Sequence, residues 1–308
     1  MNFQTAYARI RGHVEKTPVT RLDSHNLFLK WESHQPTRSF KVRGAFNRML
    51  TDPDLPEKVI TGSAGNHGLA VSLAARELGI RAEVYVPEAA PAVKVDRMRD
   101  LGAEVIRVPG LYGDAEARAI RTARETGVPF ISPYNDPAVI AGAGTIALEL
   151  LEQAPVKRIL VPVGGGGLIA GVGFCAREID PEIEIIGVLS EASPYLYHQF
   201  YDGTMEGVVE QPTLTDGLAG AVEPGSITID LVTRAADAIV QVTEEAVARA
   251  VALLYRETGE IVEGSGAVGL AAVLSGQVDP NDRVTAAIVT GGNIDPARLA
   301  EVLGRSIK

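Results

Sequence analysis

The chain has 308 residues, 46% of them apolar and 22% charged, with 29 basic against 39 acidic side chains and a net charge of −10. That length and apolar content bury a substantial core, as one large domain or two moderate ones. The acidic balance repels phosphate backbones and excludes a nucleic-acid partner, whereas a small anion still binds wherever backbone N–H groups converge.

In chain order, short runs rich in β-branched residues read as strands: Lys58–Thr61, Glu83–Val86, Glu104–Val108, Pro129–Ser132, Ile159–Val163, Glu184–Val188, Ala238–Val242 and Thr285–Val289. Val and Ile runs without polar alternation suit strands buried on both faces of a parallel sheet. Helical stretches lie between them. His67–Leu78 carries Ala70, Leu73, Ala74 and Leu78 near one face and stops at Gly79. Asp114–Thr126 stops at Gly127, Leu168–Arg177 follows a glycine run, and Thr243–Thr258 opens on Thr243 and stops at Gly259. The alternation predicts an α/β fold. Eight such units fit either a barrel or a pair of open sheets with a cleft. The strand-poor segment Ser190–Pro224 disturbs a regular barrel count. No internal repeat or Pro/Ser-rich linker is present, so two domains would be interleaved.

Cys175 is the single cysteine, which suits a reducing compartment. Met1–Pro18 lacks the apolar core of a secretory signal, and no apolar run spans a bilayer, so a cytoplasmic chain with no membrane partner is expected. His13, His25, His34 and His198 have no metal-ligand spacing, and no Gly-x-Ser-x-Gly elbow marks a serine hydrolase.

Four short motifs carry chemistry. Gly164, Gly165, Gly166 and Gly167 separate the strand Ile159–Val163 from the helix Leu168–Arg177. Glycines there let an anion approach the N–H groups at the positive end of the helix dipole. Gly165-x-Gly167-x-x-Ala170, with Glu191 downstream, fits a dinucleotide fingerprint. A cup for one phosphate monoester fits equally well, and a bland tight turn less well. Lys41 lies between Phe40 and Val42, which would desolvate it and lower its pKa as a Schiff-base lysine requires. A lone lysine is more often a surface residue on a short helix. Ser63-Ala64-Gly65-Asn66-His67-Gly68 follows a strand and opens a helix. It reads as a carboxylate site or, at even odds, as a plain N-cap by Ser63 or Asn66. Thr290-Gly291-Gly292-Asn293 closes the last strand, placing a hydroxyl against a ligand or only turning the chain.

Together these motifs resemble the fold-type II pyridoxal-phosphate enzymes and, within them, the threonine/serine dehydratase group that includes serine racemase. The Ser39-Phe40-Lys41-x-Arg43-Gly44-Ala45 core, the asparagine loop, the four glycines and Gly291-Gly292-Asn293 stand in that family's order, from about Thr17 to about Asn293. The resemblance implies two open, twisted, mostly parallel sheets with helices on both faces and the cofactor in the interdomain cleft. The large domain would be 1–45 with 142–308, and 46–141 an inserted small domain. Pyridoxal 5'-phosphate would be held by Lys41 as a Schiff base, with Phe40 against its ring and Asn66 on its ring hydroxyl. Gly164, Gly165, Gly166 and Gly167 would hold its phosphate, and Thr290 would face its ring nitrogen. Ser63, Ala64, Gly65 and His67 would line the pocket for the substrate carboxylate. The implied reaction is loss of water from a small 3-hydroxy amino acid such as threonine or serine, giving a 2-oxo acid and ammonia, by a homodimer. Freed Lys41 would act as general base.

The resemblance also discriminates among activities. Racemase members carry serine at the position of Ala64, and alanine transfers no proton, so little or no racemisation is expected. An oxidoreductase built on the glycine loop would leave Lys41 and the Ser63–Gly68 loop without roles. A non-catalytic binding protein would not need Lys41. Arg38 stands where the dehydratases often have glycine, Leu69 where they often have glutamine, and Tyr195 and Tyr197 follow Glu191 where a cation-binding aspartate is usual. No bound metal is therefore expected. Arg38 and Tyr195–Tyr201 point to a substrate larger than threonine or one with an extra anionic group, such as 3-hydroxyaspartate. Glu263 either orients a substrate hydroxyl or caps the following helix, the cap being favoured. No appended effector module is expected after Asn293.

Overall fold

The computed structural model describes residues 1–52, 54 and 56–305. Its elements, in chain order, are α1 (Phe3–Ile10), β1 (Val19–Leu22), β2 (Leu27–Trp31), α2 (Lys41–Thr51), β3 (Lys58–Gly62), α3 (Asn66–Leu78), β4 (Arg81–Pro87), α4 (Ala92–Asp100), β5 (Glu104–Val108) and α5 (Tyr112–Thr126). There follow α6 (Pro137–Gln153), β6 (Arg158–Pro162), α7 (Gly167–Ile179), β7 (Glu184–Ser190), α8 (Tyr195–Asp202), α9 (Ile227–Ala235), β8 (Ala238–Val242), α10 (Glu244–Thr258), α11 (Gly264–Leu274), β9 (Thr285–Val289) and α12 (Pro296–Arg305). The expected helix stops hold: α3, α5 and α10 end at Gly79, Gly127 and Gly259, all in the left-handed region. The Thr243 hydroxyl accepts from the Ala246 N–H at 3.1 Å and caps α10. No described helix is long and apolar enough to cross a membrane.

Contacts divide the chain into two compact units. The first joins Met1–Glu15 to Lys41–Gly142; the second joins Lys16–Phe40 to the described residues from Ala143 onward. The expected division had grouped 1–45 with the larger part. The N-terminal helix falls in the first unit instead because Ile10 packs in one core with Val42, Ala45 and Phe46 of α2.

In the first unit β3, β4 and β5 form a parallel sheet. Successive strand residues enter opposite clusters. Val59, Val84 and Val86 pack with Leu69, Leu73 and Met98, while Ile60 and Tyr85 pack with Ala119 and Ala123 of α5. The period of two thus buries both faces, as the unbroken Val/Ile runs predicted. The expected strand Pro129–Ser132 shrinks to a single parallel bridge, Ile60 to Phe130. Pro133 has no N–H to extend the ladder, and the Ser132 hydroxyl accepts from the Asn135 N–H at 2.9 Å, turning the chain away.

The second unit carries a six-stranded sheet in the order β1-β2-β9-β6-β7-β8, parallel except for the β1–β2 pair. It is open, with β1 and β8 as edges, so the barrel alternative is excluded. One core gathers Leu29, Trp31, Leu160, Val188 and Ala287 of the sheet with Leu254 of α10 and Val268 of α11. The sequence reading passed over β1 and β2. Lys30 breaks the apolar pattern of β2, yet it is fully buried, its amine donating to Glu149 Oε2 and the Thr17 carbonyl, each at 2.7 Å.

Candidate active site

Lys41 is the first residue of α2. Val42 beside it is fully buried, and burial lowers the Lys41 pKa from its usual 10.5 to about 8. Its Nζ donates to the Pro133 carbonyl at 2.8 Å. The desolvation expected of Lys41 is therefore present, and the surface-lysine reading fails. Neighbouring residues of α2 hold its position: Arg48 Nε donates to Asp136 Oδ2 at 2.8 Å, and Asn47 Nδ2 to the Ala138 carbonyl at 2.6 Å.

Ser63-Ala64-Gly65 leads from β3 into α3, with Asn66 and His67 in the first helical turn. Ser63 N–H donates to the Tyr85 carbonyl at 3.0 Å, fixing the loop to the end of β4. The N-cap position is Gly65, and no side chain accepts from the first turn, so neither Ser63 nor Asn66 is a plain cap. The Ser63 hydroxyl instead accepts from the Gly65 N–H at 3.2 Å. This helix start favours a carboxylate through its dipole. A side chain at Gly68 is excluded, since its Cβ would stand 2.3 Å from the Ser63 carbonyl oxygen. His67 is buried with Nε2 at 3.0 Å from the Ile131 carbonyl. A carbonyl only accepts, so Nε2 carries the proton, and Nδ1 is buried without a hydrogen-bond partner. Burial first, and the Lys41 charge second, push its pKa down to about 3, so the imidazole is neutral. Leu69 packs in the core of this unit.

In the second unit β6 runs into the four glycines and then α7. Gly166 has φ +84°, and a Cβ on Gly164 would lie 2.9 Å from Leu218 Cα. The loop thus needs glycine for conformation at one position and for close approach at another. Gly167 opens the 13-residue α7, so the loop N–H groups and the helix dipole form an anion cup. Thr290 is buried at the end of β9, its hydroxyl donating to the Ser265 carbonyl at 3.3 Å. Its own carbonyl accepts from the Phe40 N–H at 3.1 Å, and Ser39 bridges to Gly291, so the Ser39-Phe40 stretch is stitched to the Thr290 turn.

Glu263 stands at the N-cap of α11 but makes no side-chain cap; its Oε2 accepts from the Asn293 N–H at 3.1 Å. Asn293 Nδ2 donates to the Thr37 carbonyl at 2.8 Å. The favoured capping role is corrected accordingly: Glu263 braces the Gly291-Gly292-Asn293 turn. Arg38 adopts φ +58°, a conformation easier for glycine, and its guanidinium donates to the Ile261 carbonyl at 3.1 Å. That engagement weakens the case for an anionic substrate group. The rings of Tyr197 and Tyr201 of α8 lie 4.8 Å apart at a tilt of 55°, and the Tyr201 hydroxyl bonds to the backbone of Ile239. Cys175 is fully buried, and burial pushes its thiol up to about 12. Sequence reasoning gave no role to Thr61 or Pro133, which act through a single hydroxyl and a backbone carbonyl and leave no pattern in the sequence.

Each group by itself has chemistry that pyridoxal phosphate needs: in the first unit a desolvated amine for its aldehyde, and in the second a glycine loop suited to its phosphate and a buried hydroxyl suited to its ring. Comparison with known proteins agrees. The family model described as pyridoxal-phosphate dependent enzyme matches residues 10–291. The chain is 40% identical over 292 residues to an L-threonine ammonia-lyase of Thermotoga maritima, covering 94% of this chain and 72% of that protein. It is 38% identical over 310 residues to L-threonine dehydratase catabolic TdcB of Escherichia coli, covering 97% and 94%. Its structure matches that of maize serine racemase with a TM-score of 0.91 at 34% identity, covering 99% of this chain and 96% of that one. The chain belongs to the pyridoxal-phosphate dependent enzymes, in the threonine/serine dehydratase group.

Proposed function

We propose that this chain is an ammonia-lyase that dehydrates a small 3-hydroxy amino acid, threonine or serine, to a 2-oxo acid and ammonia. The observation that carries the reading is the Lys41 amine, brought to about 8 by burial and held on the Pro133 carbonyl. Near neutral pH a usable fraction of that amine is unprotonated and able to take a proton from the substrate Cα. Bound pyridoxal phosphate supplies the electron sink for the pair left behind.

The other residues bind and orient. Gly164, Gly165, Gly166 and Gly167 hold the phosphate, Thr290 meets the ring nitrogen, Phe40 packs on the ring and Asn66 meets the ring hydroxyl. Ser63, Ala64, Gly65 and His67 surround the substrate carboxylate at the start of α3. The neutral imidazole of His67, its Nε2–H given to Ile131, is in no state to donate a second proton. Ala64 offers no proton either, so the position at which the racemase members carry serine returns none to the opposite face of Cα. Threonine as substrate is supported by the relatives, whose names specify that amino acid. A cytoplasmic homodimer completes the reading, and light scattering of the purified protein reads the dimer.

The test is the visible spectrum of the purified chain with threonine and with serine, beside Lys41→Ala. The expected result is a yellow absorption band absent from Lys41→Ala, release of 2-oxo acid, and remaining amino acid that keeps its starting configuration on a chiral column. A chain that binds no pyridoxal phosphate overturns the reading; racemised substrate overturns the role given to Ala64.

A further inference from the structure

The Pro133 carbonyl belongs to a short backbone segment that is held unusually firmly. Ile131 N–H donates to the Ile60 carbonyl at 2.8 Å. The Ile131 carbonyl accepts twice, from Thr61 Oγ1 at 2.9 Å and from His67 Nε2 at 3.0 Å, which uses both of its lone pairs. Thr61 is fully buried and His67 nearly so. Ser132 Oγ then accepts from the Asn135 N–H at 2.9 Å, and Asp136 Oδ1 accepts from the Ala138 N–H at 2.7 Å at the start of α6. Pro133 sits between these anchors with its φ set by its ring. The strand residue Thr61 and the helix residue His67 thus converge on one carbonyl, two residues before the carbonyl that takes the Lys41 amine.

We infer that Thr61 and His67 are positioning residues for Lys41: they clamp the Ile131 carbonyl so that the Pro133 carbonyl forms a fixed docking point for the lysine amine when it is not bonded to the cofactor. This deepens the reading above, since it takes Lys41 as the reacting amine. The clamp acts through the backbone and touches neither substrate nor cofactor. Its neutrality matters, because a charged imidazole there would repel the Lys41 ammonium. The docked amine keeps one position while free, which shortens the search for the substrate Cα proton.

The test separates the hydroxyl from the shape of Thr61. Thr61→Val keeps the shape and loses the donor; Thr61→Ser keeps the donor and loses a methyl. In the holoenzyme, Thr61→Val is expected to lower kcat by roughly three- to tenfold, the worth of one hydrogen bond, with KM within about twofold. Thr61→Ser should restore kcat. A second readout does not depend on catalysis. In the full chain stripped of cofactor, acylation of Lys41 by acetic anhydride, scored by mass spectrometry against the exposed Lys157, should rise about threefold in Thr61→Val and stay parental in Thr61→Ser. Thr61→Cys, a weaker donor of similar size, should fall between and serves if the valine variant does not fold. Parental acylation and kcat in Thr61→Val and Thr61→Cys, or equal losses in Thr61→Ser and Thr61→Val, would overturn the clamp. A parent chain that releases no 2-oxo acid but shows the acylation pattern would sink the ammonia-lyase reading and leave the clamp standing.

Discussion

His67 lies in the field of Lys41, and both side chains resist protonation for the same reason, loss of water. The two shifts have separate consequences for stability. His67 takes a proton at 6.5 when unfolded but only at about 3 when folded. Between those values the unfolded chain binds the extra proton, so stability is present above 6.5 and falls as pH drops toward 3, by about 1.4 kcal/mol for each pH unit. His67→Gln should remove this slope. Urea unfolding of both proteins at pH 7, 6 and 5 measures it, and parallel curves would show that His67 is not buried as described. Lys41 works at higher pH. Its folded pKa of about 8 against the usual 10.5 means stability rises as pH climbs through that window, where the unfolded chain holds the extra proton. Both penalties sit in the first unit, around the amine proposed to react, as is usual where function is placed ahead of stability.

Among the elements, the pairing of α2 with α6 decides where Lys41 stands. The two helices meet at glycine on both sides. A Cβ on Gly44 would lie 2.8 Å from Val139 Cγ1, and one on Gly142 only 2.4 Å from the Arg43 carbonyl oxygen. Backbone cannot yield as a flexible side chain does, so Gly142→Ala must push the helices apart. We expect a loss of roughly 2 kcal/mol in denaturant midpoint analysis together with reduced 2-oxo acid release, because α2 carries Lys41 two residues before Arg43. Unchanged stability and activity would mean that the contact is softer than drawn. The glycine loop before α7 and the helix start at α3 meet two demands at once: Gly164 and Gly68 are fixed by close packing, and the missing side chains also leave backbone N–H groups approachable.

At the scale of the whole molecule, two open sheets in place of a barrel leave strand edges to be managed. On β8 the Tyr201 hydroxyl donates to the Ile239 carbonyl at 3.1 Å and accepts from the Ile239 N–H at 3.2 Å, occupying both backbone groups at one point of the edge. Tyr201→Phe should cost about 1 kcal/mol and accelerate aggregation on warming, followed by light scattering. A variant that stays as dispersed as the parent would show that the edge needs no such cover.

What the residues alone determined was local and periodic. Val and Ile runs declared strands buried on both faces, glycines marked helix ends, and four motifs in order carried the family and the residues proposed to bind. Lys41 could be singled out because its neighbours Phe40 and Val42 are adjacent in the chain. The strand-poor Ser190–Pro224 disturbed the barrel count and the family resemblance implied open sheets, but periodicity did not choose between barrel and open sheets, since a strand's partners are set by distant segments. For the same reason β2 escaped notice: Lys30 reads as exposed until Glu149, more than a hundred residues away, neutralises it in the core. The capping assignment of Glu263 failed because Asn293, across the turn, competes for its carboxylate. The Pro133 carbonyl and the hydroxyl of Thr61 were invisible in the sequence. Their roles arise only when β3, α3 and the segment before α6 are brought together, and hydrogen-bond geometry of that kind is a property of tertiary structure.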